Sequence, residues 1–251
     1  MHRSDMLRYC LWCGVVATAE GNRRQYTMAT TWLPHLLTNT VSLLLPDALR
    51  LVARERRPGK PAGPQRPTPG PRSIEWCVIG ETLSIVVRDN PGYALYVAPL
   101  AAGYLLSSPW LNIYKGDLAQ RRLACFGLDA LPHAATAFAL TRLVDETVRT
   151  ASGLASPDAG LGQILTWASD RRAVVSAALL ALATLGWEYG EYTIHLHELA
   201  LRGDSREINM QWSLSDTWSD CLANAIGWCL ALALERRSPS RVHANGQADP
   251  S

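Results

Sequence analysis

Residues 92–113 read GYALYVAPLAAGYLLSSPWLNI and contain no charged side chain. At about 20 mostly apolar positions the stretch is long enough to cross a bilayer as a helix. Asn90-Pro91-Gly92 before it is a strong chain break. Three more apolar stretches follow: Leu123–Val144, Ala173–His195 and Ser213–Leu234. The second contains Asp129, His133 and Arg142, the third opens with the apolar run Val174–Trp187, and the fourth is interrupted by Asp216, Asp220 and Asn224. The expected fold is therefore all-α, a polytopic transmembrane bundle with four spans and room for a fifth or sixth. Ile74–Val87, shorter and carrying Glu75 and Glu81, reads as re-entrant or interfacial.

Composition alone would argue the other way. The 251-residue chain has a mean hydropathy of -0.02, polar for a membrane protein. Its charges are unevenly spread, however, with arginines crowded into residues 50–72 and 236–241. A net charge of +2 offers no electrostatic reason for a nucleic-acid partner. No Gly-rich phosphate loop or GxSxG elbow is present. The pair Cys10-Leu-Trp-Cys13 stands alone without a second CxxC, so a zinc ribbon is absent and these cysteines read as small buried hydrophobes.

Outward from the apolar core, the organisation is looser. Residues 1–72 form an N-terminal region. Its first 19 residues read either as a signal-like segment or as a poorly ordered start. Residues 32–57 follow helical periodicity, with Leu33, Leu36, Leu37, Val41, Leu44 and Ala48 on an amphipathic face that suits a membrane surface or the side of a bundle. Pro58–Pro71 reads as an extended linker. The transmembrane domain is expected over 73–235 and a disordered polar tail over 236–251. Ala177/Ala181 and Ala223/Gly227 are small pairs at helical spacing, suited to close helix contact in lipid. Trp110, Tyr114, Trp187, Tyr189, Tyr192 and Trp212 stand where interfacial aromatic belts would lie. The larger arginine set (N-terminal, Arg149, Arg171, Arg172, Arg236, Arg237) faces Lys115, Arg121, Arg122, Arg202 and Arg206, which puts both termini in the cytoplasm of a multi-pass cell-membrane protein.

The polar residues of the spans converge whatever the orientation. Asp129 and His133 open the second span, Glu188 and Glu191 close the third, and Asp216 and Asp220 open the fourth, so one leaflet holds all six. Each pair is spaced i,i+3 or i,i+4 and shares a helix face. A charge facing lipid at the bilayer centre costs at least about 2.5 kcal/mol, so these groups must face one another, water or a cation. Three readings follow. A divalent metal would take Asp129, His133, Glu188, Glu191 and Asp220 as ligands, as carboxylate bundles do. A proton or ion relay would use the same groups without a fixed metal. A structural cluster would only bond itself together. His133 is the best single ligand candidate, with a core histidine bonded to Asp129 as its alternative, and His195 and His197 read as solvated.

The order Asp-x-x-x-His, Trp-Glu-x-x-Glu and Asp-x-x-x-Asp with a following Asn and Gly resembles the YjdF-like bacterial membrane proteins and, in part, the VanZ-like ones. The matching residues are Asp129–His133, Trp187–Glu191, and Asp216–Asp220 through Asn224 and Gly227, within residues 92–235. Ala130 and Ala134 replace the basic and aromatic residues usual in that pattern, and Pro132 precedes the histidine. The resemblance implies helical membrane proteins with a shared polar site and hints at the cell envelope. The expected activity is a membrane-embedded, metal-dependent or acid–base reaction on a lipid or envelope intermediate. A small proton- or ion-coupled transporter and a non-enzymatic membrane scaffold are the alternatives.

Overall fold

The computed structural model describes residues 3–25, 30, 32–55, 71–119, 121–123, 126–158, 160–203 and 212–237. Most of the expected linker, nearly all of the tail and Arg206 lie outside the described residues. The described residues are mostly helical, with two minimal hairpins among them. In order it forms α1 (Arg3–Gln25), α2 (Leu33–Glu55), α3 (Pro71–Leu83) running into a π-helical segment (Ser84–Arg88), α4 (Tyr93–Leu105), β1 (Ser107–Ser108), β2 (Leu111–Asn112), α5 (Gly116–Ala119), β3 (Arg122–Leu123), β4 (Phe126–Gly127), α6 (Ala130–Leu154), α7 (Gly160–Asp170), α8 (Arg172–Arg202) and α9 (Leu214–Arg237). The all-α expectation stands at that level.

Four confident spans do not. By length and composition, two described helices, α2 over Leu33–Ala53 and α8, are long and apolar enough to cross a membrane. The stretch 92–113 is not one helix: α4 ends at Leu105 and the chain turns back through β1 and β2, pairing Ser107 with Asn112 and Ser108 with Leu111. Pro109 supplies no amide donor to continue the helix, and the Ser107 hydroxyl donates to Tyr104 O at 2.7 Å, closing the last turn. At about 1.5 Å per residue, α4 is about 20 Å long, short of the hydrocarbon thickness. The expected second span begins at Ala130 rather than Leu123, because Asp129 caps the helix there with its side chain accepting from Ala130 N at 3.0 Å. Ile74–Val87 is helical along its whole length, as α3 and the π-helical segment.

The N-terminal region belongs to the folded body. Val15 and Ala19 of α1 and Leu43 of α2 are buried in one cluster with Val86, Val87, Tyr93, Val97, Ala101 and Tyr104. Two helices of the expected N-terminal region, α1 and α2, thus share a cluster with residues of the expected 73–235 domain. Arg8 carries the join: its guanidinium donates to Leu43 O at 2.5 Å and pairs with Asp47 at 2.8 Å and Asp5 at 2.7 Å. Cys10 and Cys13 lie on the outer face of α1, not in its core.

The tightest joint is α6 against α9. Ala130, Ala137 and Thr141 on one helix meet Asp220, Ala223, Gly227 and Ala231 on the other, all buried. A Cβ at Gly227 would come well under 3.0 Å from Ala134 O, so only glycine permits this approach. The Ala223/Gly227 pair packs as expected. Ala181 of the other small pair is exposed, and α8 turns Ser176 and Glu188 inward instead.

Candidate functional site

Three helix ends bring the polar residues together. The α6 start carries Asp129 and His133, the C-terminal half of α8 carries Glu188 and Glu191, and the first turns of α9 carry Asp216, Thr217 and Asp220. His133 Nε2 lies 3.4 Å from Asp220 Oδ2. The Thr217 hydroxyl donates to Glu188 Oε2 at 2.5 Å, and two turns of α9 farther on Asn224 Nδ2 donates to Thr184 Oγ1 at 3.0 Å. The Trp187 indole donates to Glu191 Oε1 at 2.8 Å along its own helix. Asp129 and Glu188 lie within electrostatic reach of His133, and Asp129, Asp216, Glu188 and Glu191 within reach of Asp220.

The six residues differ in what they are left free to do. Asp129 serves as the α6 N-cap, and its backbone carbonyl accepts from His133 N at 3.4 Å. The carboxylate within ion-pair distance of His133 is Asp220, while Asp129 acts on the ring through space, so the alternative of a core histidine bonded to Asp129 is not the contact formed. Asp216 is half-buried at the α9 start, its amide accepted by Ser213 Oγ at 3.2 Å. Glu188 and Asp220 are only 7% and 3% exposed, and Glu188 Oε1 and Asp220 Oδ1 have no hydrogen-bond partner among the described residues. Buried carboxylate oxygens without partners are costly, so these two are the atoms positioned to receive a proton or a cation. Carboxylate oxygen and imidazole nitrogen are the donor types that hard and borderline divalent ions take. Among the described residues, however, no three His, Cys, Asp or Glu side chains are grouped closely enough to hold a metal ion.

Neighbours that sequence spacing did not reveal complete the surroundings. His35 of α2 stacks on Tyr104 of α4 with centroids 4.8 Å apart and meets the edge of Trp187 at 5.2 Å. Its ring is desolvated there, and Asn39 Nδ2 donates to its backbone carbonyl at 2.9 Å. A histidine one turn before an asparagine in an apolar helix was the available signal. His195 accepts from Trp212 N at 3.4 Å and Tyr192 meets the Trp212 ring at 4.9 Å, so His195 joins α8 to the α9 approach rather than standing in solvent; His197 is exposed.

What faces outward is as informative as what faces inward. On α8, Val174, Leu179, Leu182, Leu185, Tyr189 and Leu201 are exposed while Ser176, Glu188 and Glu198 are buried. Leu182 is 68% exposed and Tyr189 69%. On α9, Leu214, Trp218, Leu222 and Leu230 point out while Asp220 is covered, with Trp218 at 74%. A water-soluble helix does the reverse.

No family model matches the chain, and no curated protein or solved structure matches it either.

Proposed function

We propose that the chain is a multi-pass protein of the cell membrane whose α6, α8 and α9 enclose an acid–base site for a lipid or envelope intermediate. The observation that carries this reading is the inverted amphipathicity of α8 and α9, carboxylates inward and leucines outward. In water, exposed apolar surface on that scale would be expected to seek a partner; in hydrocarbon it is already solvated, and the carboxylates are the groups that need shelter. Besides α2 and α8, we assign α6 and α9 as spans. Their 25 and 24 residues reach about 37 Å, enough for the hydrocarbon layer. The order of motifs on these helices is the basis of the resemblance to YjdF-like and VanZ-like proteins, which we retain as part of the proposal.

In this reading Asp220 accepts a proton from a substrate hydroxyl or a water, and His133, 3.4 Å away, takes it on or returns it to the leaving group. Glu188, steadied by Thr217, faces the same space with its second oxygen. Nitrogen-15 spectra of histidine-labelled protein in detergent test the pair. The His133 resonances should titrate at a different midpoint in Asp220→Asn than in wild type. Identical titration curves in wild type and Asp220→Asn would sink the assignment.

A divalent cation is the second reading, favoured by the two unpartnered oxygens on Glu188 and Asp220. Metal analysis of purified wild type beside a His133→Ala, Glu188→Gln double variant separates the two. Stoichiometric metal lost in the variant makes the site metal-dependent, and metal absent from both after reconstitution leaves the proton chemistry.

A further inference from the structure

The opposite end of the bundle carries its own arrangement of charge. Arg149 pairs with Asp145 and Glu235, and Arg172 lies 2.6 Å from Asp145 and 3.2 Å from Glu235, so those two arginines are neutralised in place. Arg171 and Arg236 have no carboxylate within ion-pair distance among the described residues. Between the ends of α6 and α8 runs α7, eleven residues long and too short to span. Gly162 and Ala168 bury its inner face, and a Cβ at Gly162 would come well under 3.0 Å from Ser156 O, so the helix is clamped to the turn before it. Its outer face presents Ile164 and Trp167, and Arg171 follows in the turn to α8. Ile164 and Trp167 are exposed, and the Arg171 guanidinium sits 5.4 Å from the centre of the Trp167 ring.

We propose that α7 lies in the headgroup layer of the arginine-rich leaflet, with Ile164 and Trp167 in the acyl boundary and Arg171 on the phosphate of an anionic phospholipid. The inference rests on the membrane reading above. Tryptophan settles at this depth because its ring is apolar and its N–H polar. Arginine matches a phosphate with paired donors. Arg172 and Glu235 line the adjoining crevice with Ser169 and Arg236, which places a second cation within the same polar surface. Asp170, exposed beside Arg171, lines the same crevice and limits its net charge. The partner is a lipid surface rather than a protein, because the exposed apolar residues are few and rimmed by unpaired cations.

The test uses full-length protein in vesicles of phosphatidylcholine containing brominated phosphatidylglycerol or, in parallel, brominated phosphatidylcholine. The part of the tryptophan emission lost in Trp167→Phe is the reporter. Each arginine near the surface enriches anionic lipid about fivefold. Half-quenching of the reporter should therefore need about fivefold less brominated phosphatidylglycerol than brominated phosphatidylcholine. Arg171→Gln should abolish that preference and Arg171→Lys should keep most of it. Equal quenching by the two lipids in wild type that resists alkaline carbonate extraction would overturn the site alone. Release of the chain by carbonate would overturn the membrane reading and this one with it.

Discussion

Lys115 shows how a single residue can report on the fold. It stands in the turn between β2 and α5, outside the proposed spans, with Glu198 and Arg202 of α8 in electrostatic reach. Burial lowers its pKa to about 8, and the field of Arg202 adds to that against the opposing pull of Glu198. An unfolded lysine titrates near about 10.4. Between those values the unfolded chain binds more protons than the folded one, so stability rises with pH through that window and is lowest below about 8. Thermal unfolding in detergent should show a midpoint that climbs from pH 8 to pH 10, and Lys115→Met should flatten the climb. An equal slope in both proteins would mean that the lysine is solvated. Residues like this were not legible in the sequence, where Lys115 counted only as a loop charge. The site residues were partly legible. Their convergence at one end of the bundle was expected from loop parity, but the partner of His133 was not, because an i,i+4 spacing says which residues share a face and not which neighbouring helix fills it.

At the scale of elements, the α6–α9 seam is the part that tolerates least. Gly227 is buried against the Ala134 carbonyl, and any side chain must push the helices apart. Gly227→Leu should cost at least about 2 kcal/mol in unfolding free energy, in the range of overpacked cores. Gly186 of α8, with nothing within 4 Å of its would-be Cβ, should accept leucine with a far smaller change. Denaturation of the two variants side by side checks the contrast, and comparable losses would place the seam elsewhere. The seam was half legible: Ala223 and Gly227 announced themselves by spacing. Ala181 announced itself in the same way and is exposed, because small residues mark a face that permits contact without naming which faces meet. Element boundaries erred for a related reason. Ser107, Ser108 and Pro109 interrupt an uncharged stretch with turn chemistry, and apolarity alone reads through them.

For the whole molecule, charge is sorted into two layers. One end of the bundle holds ion pairs: Arg8 with Asp5 and Asp47, Arg50 with the same two aspartates, and Arg149 and Arg172 with Asp145 and Glu235. The other end holds His133, Glu188, Glu191, Asp216 and Asp220, four carboxyl groups around one imidazole. Under the proposed topology the arginine-paired end is cytoplasmic. Cysteine introduced at His197, exposed beyond the carboxylate end, should react with an impermeant maleimide added to intact cells. Cysteine introduced at Arg236 should react only after permeabilisation, and the reverse pattern would invert the protein. This sorting was visible in the sequence as arginine counts. The ion pairs behind it were not, since Asp5 and Asp47 lie on different helices and only folding brings both to Arg8.

The clamp on α9 is uneven in kind as well as in place. Against α6 it is held mainly by interlocked backbone and small side chains, with His133–Asp220 and Arg149–Glu235 at the two ends of the seam. Against α8 four side-chain hydrogen bonds among the described residues hold it: Thr217 to Glu188, Asn224 to Thr184, Trp228 Nε1 to Ser176 Oγ at 3.1 Å, and Arg172 Nη2 to Glu235 Oε1 at 3.2 Å. Such bonds are worth about 1 kcal/mol each and can be exchanged one at a time for others. The compartment that shelters Asp220 and Glu188 is thus walled on one side by masonry and on the other by a latched door. Its latch nearest the carboxylates is the Thr217 hydroxyl, and under the proposed topology that side of the compartment faces along the plane of the bilayer.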